Sequence, residues 1–338
     1  MPAVLSVIIP TYNIAPYLRP CLDSVVNQTY PHLEIIIIDD NSTDVTPEII
    51  KEYAARDGRI KPVFHTANAG PGNTRNEGLT LATGDYVTFM DHDDWQELDK
   101  YEKMIARLEQ TDADFVVCDA QEYNQSRGAF FTKPWGKNLR KKTQNQPFHI
   151  EHWAQKAVII NGYTAPWAKI VRRNMVEEHN ICFSGGGNKS DDVLFHYHVC
   201  MVSKTFAYVP EALYTHRFFP TSISGQWREG GDAMFKDRLH TWYDIEKLCQ
   251  KYSVNPQLPF SFFVKKLAIY AYRADSSTQF VNQAAALIAQ LKMNVADFPP
   301  TYQKYYSNIT RYNPVRRFLV RLVRFLKIQT RLVLWGRR

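Results

Sequence analysis

The chain has 338 residues, 45% of them apolar and 22% charged, with a formal net charge of +7; this is the make-up of a globular protein with one large domain and an appendage. Its five cysteines (Cys21, Cys118, Cys182, Cys200 and Cys249) are widely spaced with no CxxC pair, which points to reduced thiols and away from a disulfide framework or a zinc site. The N-terminus has no basic region ahead of its short apolar run and no stretch of 18 apolar residues occurs, so neither a secretory leader nor a membrane span is expected.

In chain order, LSVIIP from Leu5 reads as a strand closed by Pro10 and the turn-forming TYN, and APYLRPCLDSVVNQ follows as a helix with Leu18, Leu22, Val25 and Val26 at helical spacing. LEIIIIDD is a continuous β-branched strand that ends in two carboxylates. NSTDVTPEIIKEYAARDG reads as a capped helix, with Ser42 or Thr43 before it, Pro47 in its first turn and Gly58 past its end. IKPVF is a third strand, GPGNTRNEGLTLATG a glycine-rich loop with its helix, DYVTFM a fourth strand, DKYEKMIARLEQ a helix and DFVVC a fifth strand. Strands apolar throughout are buried on both faces, which predicts an α/β fold with a mainly parallel sheet flanked by helices. Ligands of such sheets sit outside the carboxyl ends of the strands, and TYN, DDNSTD and DHDD all fall there. From Gly128 to Val209 the pattern is less regular, and from Gly230 it reads mostly as helix, as in FFVKKLAIYAYRA and FVNQAAALIAQLK.

Three of these clusters can carry chemistry. In FMDHDDW, Asp91, Asp93 and Asp94 crowd three carboxylates into four positions after a buried strand. A hard divalent cation, Mn2+ or Mg2+, would relieve their repulsion and keep open places for phosphate oxygens; an acidic turn or a helix cap is the plainer alternative. Asp39 and Asp40 could accept hydrogen bonds from a nucleobase imide or a ribose, against simple capping by Asn41 and Ser42. In NAGPGNTRNEGL the glycines permit close backbone approach and Arg75 offers a phosphate clamp, although the segment is neither a Walker loop nor a GxGxxG fingerprint.

The order SVIIPTYN, DDNSTD, GxxxxRNEGL and GDYVTFMDHDDW resembles the family 2 glycosyltransferases, nucleotide-sugar-dependent enzymes of the Rossmann-like GT-A fold. The likeness is dense from Leu5 to Trp95 and thinner through YTAPWAKIVRR, SDDVLF and YTHRFFPTSIS to about Gly225. It implies a donor site of Pro10, Tyr12, Asn13, Asp39, Asp40 and Arg75, with Tyr12 stacked on the base, Asp40 on the uracil of a UDP-sugar and Asp39 supporting it. It places the metal motif on Asp91 and Asp93 with Asp94 adjoining, Asp93 nearest the metal and Asp91 nearer the ribose or sugar. His92 takes the variable position, as a sugar contact or a space-filling side chain. An inverting single displacement needs a carboxylate base; Asp192 matches the family's catalytic Asp, and Asp191 stands where Glu is usual, which leaves either as the base. Lys169, His216, Arg217, Ser222 and Ser224 are further phosphate-side candidates, and Gly185 to Gly187 suggest a closing loop.

No acidic residue follows Asp297, and ten of the 41 basic residues lie beyond it. VRRFLVRLVRFLKIQTRLVLW, within about 314–336, sets Arg317, Arg321, Arg324 and Arg331 on one helical stripe beside Phe318, Leu322, Phe325 and Leu332. This is the pattern of a basic amphipathic helix lying in an anionic membrane surface, or else packing on its own domain or a second copy; no nucleic-acid motif accompanies it. The expectation is a metal-dependent glycosyltransferase, peripheral at the cytoplasmic membrane face, acting on a saccharide or lipid-linked oligosaccharide in lipopolysaccharide or capsule synthesis. Its catalytic domain would be 1–225 and its helical region 226–338. A nucleotidyltransferase or a non-catalytic membrane adaptor are the alternatives.

Overall fold

The structure is a computed structural model that describes residues 2–131, 148–149, 164–185, 191–219 and 232–254. The expected helices 262–274, 280–292 and 314–336, and Ser222 and Ser224, lie outside the described residues. The chain divides into two compact units, Met1–Arg228 with Lys236–Pro259, and Glu229–Phe235 with Phe260–Arg338.

Strands β1 (Leu5–Thr11), β2 (Leu33–Asp39), β3 (Ile60–Phe64) and β4 (Tyr86–Phe89) form a parallel half-sheet in the order β3-β2-β1-β4. Every residue of β1, β2 and β4 is buried, the expected outcome for continuous β-branched and apolar runs covered on both faces. Helices α1 (Ala15–Val26), α2 (Thr46–Arg56) and α3 (Pro71–Leu81) make the crossovers. The register runs from Leu5 beside Leu33 to Thr11 beside Asp39. The polar ends of β1 and β2 therefore finish level, which is what brings TYN and DDNSTD together.

Beyond β4 the sheet continues as β9-β6-β10-β5. These are β5 (Trp95–Gln96), β6 (Phe115–Asn124), β9 (Lys169–Arg172) and β10 (Thr205–Phe218); β7 (Ala129–Phe131) pairs with β6, and β8 (Phe148–His149) with β10. Helix α4 (Lys100–Thr111) joins β5 to β6. Strand β9 inserts antiparallel between β4 and β6, whereas β10 runs parallel to β6. Two irregularities between Val209 and Tyr214 interrupt the β6–β10 ladder, around Pro210, which has no N–H to give it. The sequence pattern treats the chain up to Val209 as irregular and shows no strand after it. The antiparallel pairing of β5 with Tyr214 and Thr215 anchors the DHDD turn against this long strand.

Three further helices complete the described part: α5 (Arg173–His179), α6 (Asp191–Val202) and α7 (Asp232–Lys251). Nearly every residue of α6 is buried, from Asp191 through Met201. Phe195 of α6 stacks on Phe183 at 4.4 Å and meets Phe89 edge-on at 5.3 Å. Trp242, Ile245 and Cys249 of α7 are buried as well.

Candidate active site

The DHDD turn shows how three neighbouring carboxylates coexist. Asp94 is fully buried; one oxygen accepts from Tyr214 Oη at 2.7 Å and the other from the backbone N–H of Arg217 at 2.6 Å. Burial, then Asp93 and Asp91, push its carboxyl well above the ordinary range. Asp91 is half-buried and paired with Arg75 at 2.8 Å. Among the described residues the Asp93 side chain has no hydrogen-bond or ion-pair partner, and only its backbone carbonyl is engaged, by Arg217 Nε at 2.7 Å. One of the three is sealed inside, one is neutralised, and one stands open. His92, in the variable position, donates from Nδ1 to the Pro10 carbonyl at 2.7 Å, which fixes its ring against the end of β1.

Arg75 links this turn to the start of α6. Its guanidinium is buried and bridges Asp91 and Asp191, the latter at 2.6 Å, and it lies 5.6 Å from the Phe183 ring centre. Its Nε is buried without a partner among the described residues. Burial alone would lower its pKa; Asp191 and then Asp91 outweigh this and raise it, so the cation is permanent. Asp191 is 4% exposed. Burial pushes it up to about 6 against the opposing pull of Arg75. Asp192, one position on, is half-buried in the first turn of α6.

The glycines of the α3 segment serve packing of the chain on itself. A Cβ on Gly72 would lie 2.1 Å from the Ser184 carbonyl and 3.0 Å from the Asp191 Cβ, and one on Gly78 would lie 2.3 Å from Ile8 Cγ2. The close approach read from the sequence is thus made by Ser184 and Ile8. It sets α3, and with it Arg75, at the distance from α6 that the ion pair needs.

At the other end of the edge, Asp39 and Asp40 are both buried. Asp39 accepts from the Ser42 N–H at 3.0 Å and hydroxyl at 2.6 Å and from the Thr11 hydroxyl at 3.3 Å. Asp40 accepts from the N–H groups of Ala69 at 2.7 Å and Gly70 at 2.8 Å, and pairs with His65 Nδ1 at 2.8 Å. By lone-pair count this leaves one place on its Oδ2. His65 holds Glu77 at 2.6 Å with its second nitrogen; the two carboxylates outweigh burial and raise its pKa. Asn13, at φ 46°, accepts from the Thr43 N–H at 2.8 Å, and Tyr12 is 45% exposed beside it.

The remaining candidates separate. Lys169 is fully buried and donates to the Ala165 carbonyl at 2.7 Å; burial lowers its pKa to about 8. The structure thus corrects the phosphate contact expected of it, since no part of its side chain reaches a surface. His216 stacks on Trp167 at 6.1 Å. Arg217 lies behind the DHDD turn. Tyr214 is the residue that sequence reasoning missed: its hydroxyl ties Asp94 and also accepts from the Asp91 N–H at 3.3 Å, and its ring stacks on Trp167 at 4.0 Å. Its only signal was the aromatic in YTHRFF, which had no strand assigned to it.

A half-sheet whose carboxyl edge collects an open carboxylate, a bridging arginine and a helix-start carboxylate has the fold and the chemical groups of a GT-A sugar transferase. The model of Glycosyl transferase family 2 matches residues 6–178, and the chain belongs to this family. EpsH of Bacillus subtilis is 34% identical over 73% of this chain and 71% of its own. Glycosyltransferase GlyA of Streptococcus pneumoniae is 32% identical over 67% of this chain, which spans only 32% of GlyA. Among solved structures, Staphylococcus aureus TarS 1–349 in complex with UDP-GlcNAc shares 20% identity at a TM-score of 0.60, covering 91% of this chain and 90% of that one. The mannosyltransferase PcManGT of Pyrobaculum calidifontis, in complex with GDP-Man and Mn2+, shares 16% identity at a TM-score of 0.51, covering 91% and 84%. These likenesses establish the GT-A fold.

The family implies a divalent metal. Among the described residues no cluster of three His, Cys, Asp or Glu side chains could hold an ion unaided. The residues present still fit one: Asp93 offers an unpartnered carboxylate next to Asp91, and a magnesium- or manganese-type ion is commonly held by one or two carboxylates plus substrate phosphates. No described helix is long and apolar enough to cross a membrane.

Proposed function

We propose that this glycosyltransferase moves a sugar from a UDP-sugar to a hydroxyl of a saccharide or lipid-linked oligosaccharide in surface-polysaccharide synthesis, with inversion at the anomeric carbon. The observation that carries the reading is the division of labour among the acidic residues. Asp94 and Asp191 are committed to protein partners, while the Asp93 carboxylate has no partner among the described residues and Asp192 stands half-buried in the first turn of α6.

In this reading the exposed Tyr12 ring carries the base, and the remaining acceptor place on Asp40 takes the uracil imide N–H. Asp93, with Asp91, would hold the Mn2+ or Mg2+, which when bound neutralises charge on the departing diphosphate. Asp94 supports the turn from inside. Asp192 accepts the proton of the attacking hydroxyl. Asp191 is less suited to that task, because its Oδ2 is held by Arg75 at 2.6 Å inside the protein and a base must reach the hydroxyl directly. Arg75 acts as a tie that fixes α6 relative to the metal turn, so that Asp192 is positioned before substrate arrives. The region from 226, ending in the basic stripe of 314–336, would hold the enzyme at the cytoplasmic face of an anionic membrane where lipid-linked acceptors reside. The UDP-GlcNAc bound by TarS and the GDP-Man and Mn2+ bound by PcManGT support a nucleotide-sugar donor and a metal.

The test is the thermal midpoint of the full chain with UDP, GDP or dTDP, with and without Mn2+. A ligand of the folded state stabilises it by about 2.7 kcal/mol at a hundred times its Kd. A shift requiring UDP and Mn2+ together supports the reading. A shift with GDP or dTDP alone overturns the choice of base, and a UDP shift indifferent to Mn2+ overturns the metal.

A further inference from the structure

Behind the DHDD turn lies an open cleft of about 470 Å³ lined by Pro20, Ser24, Trp95, Tyr123, Gln125 and Arg217, within the size range of small-molecule sites. Of its lining only Arg217 figures among the phosphate-side candidates of the sequence, and the donor site proposed above uses none of these residues. The Arg217 side chain is its floor. Arg217 is 9% exposed, and its guanidinium lies 4.6 Å from the Trp95 ring centre and 4.9 Å from that of Tyr17. Nε donates to the Asp93 carbonyl and Nη1 to Gln125 Oε1, each at 2.7 Å. Nη2 donates to no described group. No described carboxylate pairs with the guanidinium, in contrast to Arg75, which has two.

A cation this deeply buried is costly without an opposite charge. Two aromatic faces and two neutral oxygens offset part of that cost; an anion delivered by a ligand would complete it, in a charge-assisted bond to Nη2. The walls specify what carries the anion. Trp95, Tyr123 and Phe130 form a run of edge-to-face rings, 5.3 Å between the first two and 5.1 Å between the last two, and Phe130 is 52% exposed. The apolar C–H face of a sugar ring is flat and suits such a run, while its hydroxyls need polar neighbours. The Gln125 amide N–H groups, with their oxygen already turned to Arg217, supply donors.

We propose that this cleft is a subsite for an acidic saccharide unit of the acceptor, with its carboxylate or phosphate on Arg217 and its ring against Trp95 and Tyr123. The proposal rests on the glycosyltransferase reading and adds to it the charge class of the acceptor. It also puts the occupant next to the transfer centre, because Arg217 is bonded to the backbone of Asp93 and Trp95 is two residues further on. The subsite would therefore grip a unit beside the reacting sugar, not the reacting sugar itself.

The experiment is isothermal titration of the full chain with cellobiouronic acid, its neutral counterpart cellobiose, glucose 1-phosphate and inorganic phosphate, with UDP plus Mn2+ titrated separately. Arg217 itself is left intact, because its Nε holds the Asp93 carbonyl; Tyr123→Ala and Gln125→Ala are used instead, since Tyr123 is only half-buried and Gln125 exposed. At least one acidic sugar should bind about tenfold or more tightly than cellobiose, a difference of about 1.4 kcal/mol, and each variant should weaken acidic-sugar binding while UDP–Mn2+ affinity stays unchanged. A preference for the uronate identifies a carboxylate sugar, and one for glucose 1-phosphate identifies a phosphorylated one. Equal binding of acid and neutral sugar, binding of neither acidic sugar, undiminished binding in both variants, or inorganic phosphate binding as well as the sugars would each overturn the proposal. Acidic-sugar binding without any UDP–Mn2+ binding would leave the subsite standing and refute the donor reading.

Discussion

Replacing Arg75 by Met removes the one cation shared by the metal turn and the helix of the catalytic base. Asp91, half-exposed, can rehydrate; Asp191, at 4% exposure, cannot. In the native chain Asp191 titrates at about 6, so below that pH it is neutral and the ion pair is already gone. Above it, the pair stabilises the native fold by about 1.4 kcal/mol per pH unit relative to a variant whose lone buried carboxyl stays protonated, and lone buried carboxyls with pKa values near 8 to 9 are known. The Arg75→Met deficit is therefore about 1.4 kcal/mol at pH 7 and about 3 kcal/mol at pH 8 from this source. At pH 5.5 what remains is the lost packing on Phe183 and the lost pair with Asp91. At roughly 2–4 °C per kcal/mol, the midpoint difference between variant and native chain should widen by roughly 6 °C or more from pH 5.5 to 8. Adding Asp191→Asn to Arg75→Met should abolish that widening. A deficit of the same size at pH 5.5 and pH 8, or a double variant no less pH-dependent than the single one, would refute the coupling of Arg75 to Asp191.

The other expectations concern single carboxylates and the chain end. Asp192→Asn should keep UDP–Mn2+ binding within about twofold and lower transfer by at least about a hundredfold, the scale of general-base catalysis; a fall of that size for Asp191→Asn but not for Asp192→Asn would reassign the base. Asp93→Asn should remove the Mn2+ dependence of UDP affinity, measured by titration with and without chelator. Glu34, 5% exposed and bonded by Ser6, Lys61 and Thr83, is held at about 2 although burial alone would raise it. Glu34→Gln should cost about 2 to 3 kcal/mol at pH 7 in urea unfolding, and the difference should fade as pH drops from about 4.5 to 2, because a depressed carboxylate contributes only above its unfolded pKa; a constant difference across that range would refute the assignment. Truncation before Pro314 should release the protein from vesicles rich in anionic lipid at low salt; unchanged binding would send the basic stripe back to an intramolecular role.

The half-sheet was legible because its strands are apolar without interruption, a pattern that β1, β2 and β4 satisfy residue by residue. The acidic clusters at the strand ends were legible for the same reason, since a parallel sheet delivers all its carboxyl ends to one edge. The destinations of individual side chains were not. Nothing local distinguishes Asp93, which stays open, from Asp94, which is sealed by Tyr214 120 positions away, or marks Arg75 as the partner of a carboxylate 116 positions on. Strand β10 escaped notice because Pro210 and the interrupted ladder after Val209 break its alternation. Lys169 read as a surface cation because charged residues normally stay outside, yet the strand that carries it lies between β4 and β6 in the middle of the sheet.

The acidic turn can be so crowded because its charges are sorted by depth. Asp94 is held by a hydroxyl and a backbone N–H, donors that satisfy its oxygens without bringing a counter-charge. Asp91 shares its counter-charge with Asp191, so Arg75 ties the turn to the start of α6. Only Asp93 is left to need something from outside. Its own backbone carbonyl is held by Arg217, whose charge is uncompensated on the cleft side. An open carboxylate and an open guanidinium thus flank the same peptide segment, one suited to a cation and the other to an anion. If both are substrate contacts, donor and acceptor binding are linked through the peptide at Asp93. Occupation of the cleft by an acidic sugar should then change Mn2+–UDP affinity, and Mn2+–UDP should change acidic-sugar affinity by the same factor, since coupling between two sites is reciprocal.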